Sequence, residues 1–315
     1  MKKYITLFTA IVSIFFLLIG CSAKDNEKAS ATKTEKGKKQ IEITDFSDRK
    51  VVFNKVPQSF ATLSVGDMDI IHALGGKIIG RPDTKLALSD EVKSAQVIGN
   101  AHQPNFEQIA SLKPDLLVAN NGFQKNIPIV EGQGTKVMIS SANSVKDIQR
   151  SIDMYGTIMQ KEGKAKELNQ NITDQMKKYE KKSDAKALLV YGAPGTYLAA
   201  LPNSLSGDIL EKTGGKNIAA EFPKMKEYPQ YAQLSVERII EANPDIIFLI
   251  THGDPAGVKK AFEGEMMKNE AWKNLEAVKQ NRVVILPPDL FGSNPGTKVT
   301  EAMDFMYKSI QAVRK

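Results

Sequence analysis

Three histidines, one cysteine and a pair of repeated glutamates are the residues of this 315-residue chain whose types and spacing could do chemistry. His102 stands in the loop AHQPN and His252 in the His-Gly where the run IIFLIT ends, and each follows an apolar run that reads as a buried strand. Open α/β sheets present ligand groups at such strand ends, so an imidazole from each half is a candidate pair of nitrogen ligands. His72 sits inside the apolar stretch IIHALGG and reads as a partly buried packing residue. A zinc or manganese ion would need three or four N/O ligands, and His102, His252 and Asp254 could be proposed for that set. The chain shows no nucleophile elbow with a Ser-His-Asp pattern, no GxxxxGK[ST] and no HExxH, so a binding protein is expected rather than an enzyme.

The elements that would position these residues come in duplicate. PNFEQIASLKPDLLVANNG (104–122) and LSVERIIEANPDIIFLITHG (234–253) share one plan: Glu107 and Glu237 each stand seven residues before a Pro-Asp that opens an apolar run. An earlier pair of phrases, DMDIIHALGG and SGDILEKTGG, places Asp69 and Asp208 six residues before a Gly-Gly. Two phrases recurring in the same order imply two related α/β halves with a ligand between them. Strands alternating with short helices predict parallel βαβ units. The hairpin IEITDFSDRKVVFN opens the fold. Residues 144–182 show helical periodicity broken only at Glu162-Gly163, which predicts a first-half helix and then one connecting helix of about 20 residues, roughly 30 Å long.

At 315 residues two domains are expected. The division is a signal segment over 1–20, a tether over 21–40, an N-terminal α/β lobe over 41–160, a connecting helix over 161–184 and a C-terminal α/β lobe over 185–315. Met1-Lys2-Lys3 followed by the apolar run Ile5–Ile19 matches a secretory signal rather than a membrane span. Residues 22–40 hold no large apolar side chain and read as a flexible tether. The net charge of +7 comes from dispersed lysines with no interleaved aromatics, so nucleic acid is not an expected partner.

Leu18-Ile19-Gly20-Cys21 resembles the bacterial lipobox, in which the cysteine is lipidated and becomes the first residue of the mature chain. Together with the paired Glu…Pro-Asp phrases, the connecting helix and WKNLEAVKQNRVV, it makes residues 41–315 resemble the cluster-A (class III) solute-binding proteins of ABC importers, receptors for siderophores, heme and cobalamin. VYGAPGTYLAAL, THGDPAGVKKAF and VIGNAHQPNFEQI further resemble the Isd-type heme receptor lipoproteins of Gram-positive bacteria. The resemblance implies a monomer held by Cys21 on the extracellular face of the cytoplasmic membrane, delivering heme to a permease and its ATPase. It implies docking of Glu107 and Glu237 onto permease arginines. In that family an axial methionine of the first lobe and a histidine of the second hold the iron. His252 falls on the histidine position, and His102 stands at the methionine position, which predicts bis-histidine ligation of ferric iron at a lowered potential.

A heme slot needs an apolar wall, for which Phe60, Leu63, Tyr197, Leu198, Leu201 and Phe291 are the candidates, and partners for two propionates, sought at the helix starts near Ser64–Asp67 and Ser204–Gly207. The competing readings are a ferric siderophore or cobalamin receptor of the same fold, for which Arg81 would be the arginine near the cleft, and the zinc or manganese receptor.

Overall fold

A computed structural model describes residues 40–179, 183–193, 196–251, 255–266 and 268–313. The signal segment, the tether, Cys21, His252 and Asp254 lie outside the described residues. Lys39–Lys315 cluster as one compact unit.

The unit opens with the expected hairpin, β1 (Ile41–Thr44) against β2 (Lys50–Phe53). The fully buried Asp45 ties it down: one carboxylate oxygen accepts the Ser47 and Arg49 N–H groups, and the other accepts the Ile139 N–H at 3.1 Å.

The first sheet comprises β3 (Phe60–Thr62), β4 (Ile78–Arg81), β5 (Gln96–Val97), β6 (Leu116–Ala119) and β7 (Lys136–Ile139), all parallel in the order β5-β4-β3-β6-β7. Between them run α1 (Val65–Ala73), α2 (Asp90–Lys93), α3 (Phe106–Leu112) and α4 (Ile127–Glu131). The strand order reverses between β3 and β6, so the residues following both strands open onto one crevice.

Two antiparallel helices then carry the chain to the second half. α5 (Val145–Met159) is N-capped by Ser144 and buries Val145, Ile148, Ile152, Tyr155 and Ile158 on one face, the spacing of an amphipathic helix. It stops at Gln160, in the left-handed region at φ 54°, two residues before the expected break. The connecting helix α6 (Glu162–Lys177) has 16 residues rather than 20, about 24 Å of rise. It packs so closely on α5 that a Cβ on Gly156 would meet the Ala165 Cβ at 2.5 Å.

The second sheet is mixed. β8 (Lys186–Ala193), β9 (Thr196–Ala200), β10 (Lys216–Asn217), β11 (Tyr231–Gln233), β12 (Ile246–Thr251) and β13 (Val283–Ile285) take the order β11-β9-β8-β12-β13, with β10 also on β8. β9 runs antiparallel to both its neighbours. Interior β12, parallel to both its neighbours, is buried at all six residues, as a parallel strand covered on both faces must be. The helices here are α7 (Leu205–Lys212), α8 (Val236–Ala242), α9 (Pro255–Met266), α10 (Glu270–Lys273), α11 (Glu276–Lys279), α12 (Pro288–Phe291) and α13 (Val299–Ala312). Among the described residues no helix is long and apolar enough to cross a membrane.

The duplication is structural. α3 and α8 are both seven residues long, are capped by Asn105 and Ser235, and end on Lys113 and Asn243 in the left-handed region. Pro-Asp follows in each copy. Asp115 then accepts the Gln58 and Ser59 N–H groups, and Asp245 accepts the Lys186 N–H at 2.7 Å, so each aspartate aligns the entry to the neighbouring central strand. One core joins the two halves: it runs from Phe60, Met68 and Met138 through α5 and α6 to Leu189, Phe248 and Met303. Two smaller clusters, one per sheet, fill the outer sides.

Asp115 carries a prediction. Burial pushes its carboxyl up, but the Gln58 N–H, the Ser59 hydroxyl and the Lys55 ammonium together hold it below the usual range. A folded value below the unfolded one gives stability that is complete above the unfolded value, about pH 4, and is lost as pH falls through the folded value. Asp115→Asn is expected to cost about 1–2 kcal/mol at neutral pH. It should also flatten the acid limb of a urea-denaturation series, and an acid limb identical to wild type would refute this.

Candidate functional site

The loops after the strands of both sheets enclose a cleft with two adjoining cavities of about 570 and 580 Å³, within the usual range for small-molecule sites. Asn120, Ser141, Ala142, Gly292, Ser293 and Asn294 line both and make the cleft continuous.

The first cavity holds His102. The loop that carries it is shaped by its own sequence. Gly99 takes a φ of 85°, and a Cβ there would strike the Gln103 carbonyl at 2.2 Å. The Asn100 side chain accepts the His102 N–H at 2.9 Å and the Gln103 N–H at 3.0 Å, and the Asn105 N–H returns to the Ile98 carbonyl. The result is a closed loop with an exposed histidine at the cavity wall. Across the cavity stands Thr251, the last residue of β12 and the one before His252. Its side-chain oxygen is buried and has no hydrogen-bond partner among the described residues.

Asp67 and Ser140 line the first cavity and belong to a polar network whose long-range pairing no local sequence pattern shows. The buried Asp67 accepts hydrogen bonds from the Tyr155 hydroxyl (2.6 Å) and the Ser140 hydroxyl (2.7 Å). Burial, then the adjoining Asp67 carboxylate, pushes the Tyr155 phenol well above its ordinary range, so it stays protonated and donates. Lys85 is the only lysine or arginine among the described residues lining either cavity.

The second cavity has an aromatic wall from the second lobe, with Tyr191, Tyr231 and Phe291 beside Ile250. The Tyr191 and Tyr231 rings tilt against each other at 5.0 Å. Burial and then the neighbouring Tyr191 push Tyr231 up to about 12, and burial and then Tyr228 raise Tyr191, so both phenols remain neutral at physiological pH.

The six candidates for an apolar wall separate. Leu63 lines the first cavity and Phe291 the second. Phe60 and Leu201 are buried in the cores beneath their sheets. Tyr197 packs edge-on against Phe262 in the second lobe's outer cluster, and half-buried Leu198 lines neither cavity. The helix starts sought for carboxylates do reach the cleft: Ser64 and Val65 line the first cavity, and Ser204, Leu205 and Ser206 the second. Arg81 instead turns along its own sheet edge, donating to the Lys93 and Pro82 carbonyls. His72 is half-buried beside Glu91. No group of three or more His, Cys, Asp or Glu among the described residues could hold a metal ion. Glu107 and Glu237 are exposed in the first turns of α3 and α8.

Comparison with known proteins places this architecture. A family model described as periplasmic binding protein matches residues 61–290. The high-affinity heme uptake system protein IsdE of Staphylococcus aureus is 31% identical over 262 residues, covering 81% of this chain and 86% of that protein. The crystal structure of S. aureus IsdE complexed with heme superposes with a TM-score of 0.70 at 29% identity, over 81% of this chain and 98% of the other. An ABC transporter substrate-binding protein from Listeria monocytogenes gives the same TM-score of 0.70 at 28% identity and the same coverage.

Proposed function

Because this chain belongs to the periplasmic binding protein family, as a class III solute-binding protein of ABC importers related to staphylococcal IsdE, we propose that it is a heme receptor. It takes heme in the cleft between its lobes and hands it to an importer's permease for iron acquisition. Cys21 anchors it by lipid outside the cytoplasmic membrane.

One observation carries the reading. His102 of the first lobe and the end of β12 in the second, Thr251, line the same cavity, and His252 is the next residue in the chain. In this reading His102 and His252 ligate the iron from opposite faces of the porphyrin. Two neutral imidazoles favour ferric iron and a lower potential than a histidine–methionine pair.

The remaining walls match the two kinds of surface a heme presents. Leu63, Phe291 and the neutral Tyr191 and Tyr231 rings offer apolar faces to the macrocycle. The propionates require cations or N–H donors. Lys85 and the start of α1 supply these on one side of the cleft, and the start of α7 supplies N–H groups on the other. The shortage of cationic side chains in the lining disfavours a trianionic ferric siderophore.

The test is an absorbance titration of residues 39–315 with hemin. The expected result is a saturable one-to-one Soret shift with a low-spin spectrum. The absence of any shift would transfer the cargo to a ferric siderophore, and the same titration would then be run with ferric chelates.

A further inference from the structure

The phrases that repeat around Asp69 and Asp208 do something neither could do within its own half. Asp69 is on α1 of the first lobe. Its Oδ2 accepts the Thr297 backbone N–H at 2.7 Å and the Thr297 hydroxyl at 2.6 Å, at the 3-10 turn Gly296–Lys298 that leads into α13 of the second lobe. Asp208 is on α7 of the second lobe. Its Oδ2 accepts the Val145 N–H at 2.8 Å, the first residue of α5 in the first lobe, while its Oδ1 pairs with Lys212 at 3.1 Å. Each lobe therefore supplies one carboxylate to a helical segment of the other: Asp208 caps the first N–H of α5, and Asp69 holds the 3-10 turn that precedes α13. The first N–H groups of a helix have no partner within it, and a carboxylate there also meets the positive end of the helix dipole.

The backbones meet closely at the Asp69 contact. A Cβ on Gly66 would lie 2.3 Å from the Asn294 carbonyl oxygen, and one on Gly296, at φ 64°, would lie 2.6 Å from the Asp69 carboxylate. Gly66 and Gly296 leave no room for a side chain at this contact. Asn294 also lines both cavities of the cleft, and Ser144, which caps α5, follows the cavity residue Asn143. The two contacts thus join the lobes directly beside the ligand cavities.

We infer that Asp69 and Asp208 are positioning residues that fix the width of the cleft by reciprocal capping across the lobe boundary. Neither touches the ligand. Opening the cleft breaks at least one of the two carboxylate contacts, so the lobes of the ligand-free protein keep one separation. The connecting helix α6 alone does not set that separation. This inference is independent of which ligand the cleft binds, and its test needs no ligand.

The experiment is a pulsed-electron-resonance distance measurement on residues 39–315, which contain no cysteine. Spin labels go on Lys125→Cys in the first lobe and Lys226→Cys in the second, both exposed; Lys226 adjoins the second-cavity residue Glu227, and Lys125 follows the segment Asn120–Gly122 that lines the same cavity. A pair within one lobe, Glu42→Cys with Lys125→Cys, serves as the control. The unmodified background is expected to give one narrow inter-lobe distance. Asp69→Ala, Asp208→Ala and their combination are expected to broaden it and move it to longer values, with the control distance unchanged. Val145→Pro reads the Asp208 contact from the donor side. It removes the N–H at the first helical position, where proline is well suited, and leaves the aspartate in place. It is expected to reproduce the Asp208→Ala distribution. An unchanged inter-lobe distance in the double aspartate variant, or in Val145→Pro, would overturn the inference.

Discussion

His102→Ala and His252→Ala are each expected to abolish the low-spin hemin spectrum of residues 39–315 and to weaken hemin binding by roughly ten- to a hundredfold, the scale on which even the outer-shell partners of metal-ligating histidines act. The expectation for His102 rests on its loop. Gly99, Asn100 and the return of Asn105 to Ile98 fix the path of the backbone, so the substitution removes an imidazole without loosening the wall that carries it. His102→Met separates ligation from mere proximity. A thioether in place of the imidazole is expected to keep the iron six-coordinate and to raise its midpoint potential. If His252→Ala alters the spectrum and His102→Ala does not, the heme reading stands and the first-lobe ligand lies elsewhere on the cavity wall. If neither alters it, ligation by this pair is refuted.

The duplicated phrases make the two lobes legible in the sequence itself. Helix, left-handed stop, Pro-Asp and buried strand recur because each copy solves the same local problem, and local problems leave marks in sequence. Asp115 and Asp245 fasten neighbouring strands by the same carboxylate-to-amide contact. The cleft wall was less legible because it is assembled from the ends of different strands. Large apolar residues near strand ends suit a porphyrin wall and a core equally well, and Phe60 and Leu201 belong to the cores. Much of the actual lining is small and polar, Ser141, Ser293, Asn120 and Asn294 among it, and such residues carry no periodic signal. Asp67 stands in a repeated phrase and at a helix start, and neither feature marks it as the centre of a buried polar network. Its partners Ser140 and Tyr155 are 73 and 88 residues away, so no local pattern could reveal the network. The break between α5 and α6 falls at Gln160, two residues before Glu162-Gly163, because Gln160 itself adopts the left-handed conformation.

Glu107→Ala and Glu237→Ala are expected to leave the hemin titration unchanged and to impair heme-dependent growth, with the double variant losing uptake entirely. The argument starts from equivalence. Both carboxylates are exposed in the first turn of seven-residue helices that each have a side-chain N-cap and a left-handed stop, at matched places on related lobes, so a permease with two like halves can meet both in one orientation. Truncating one partner of a charge pair that becomes buried in a complex typically costs about 2–5 kcal/mol, a factor of roughly thirty or more in affinity. An acid serving only its own helix dipole would cost well under that, about 0.3–1 kcal/mol, and would act on stability rather than on uptake. The two readings therefore separate on which quantity moves. Additivity then tests whether both lobes dock. Contacts on separate lobes share no partners, so the free-energy losses of the single variants should sum in the double variant when complex formation is measured with the permease in detergent or nanodiscs. A double variant no worse than Glu107→Ala would mean that the first lobe docks alone. A fall in hemin affinity matching the loss of uptake would move both glutamates from the docking face to the integrity of the cleft.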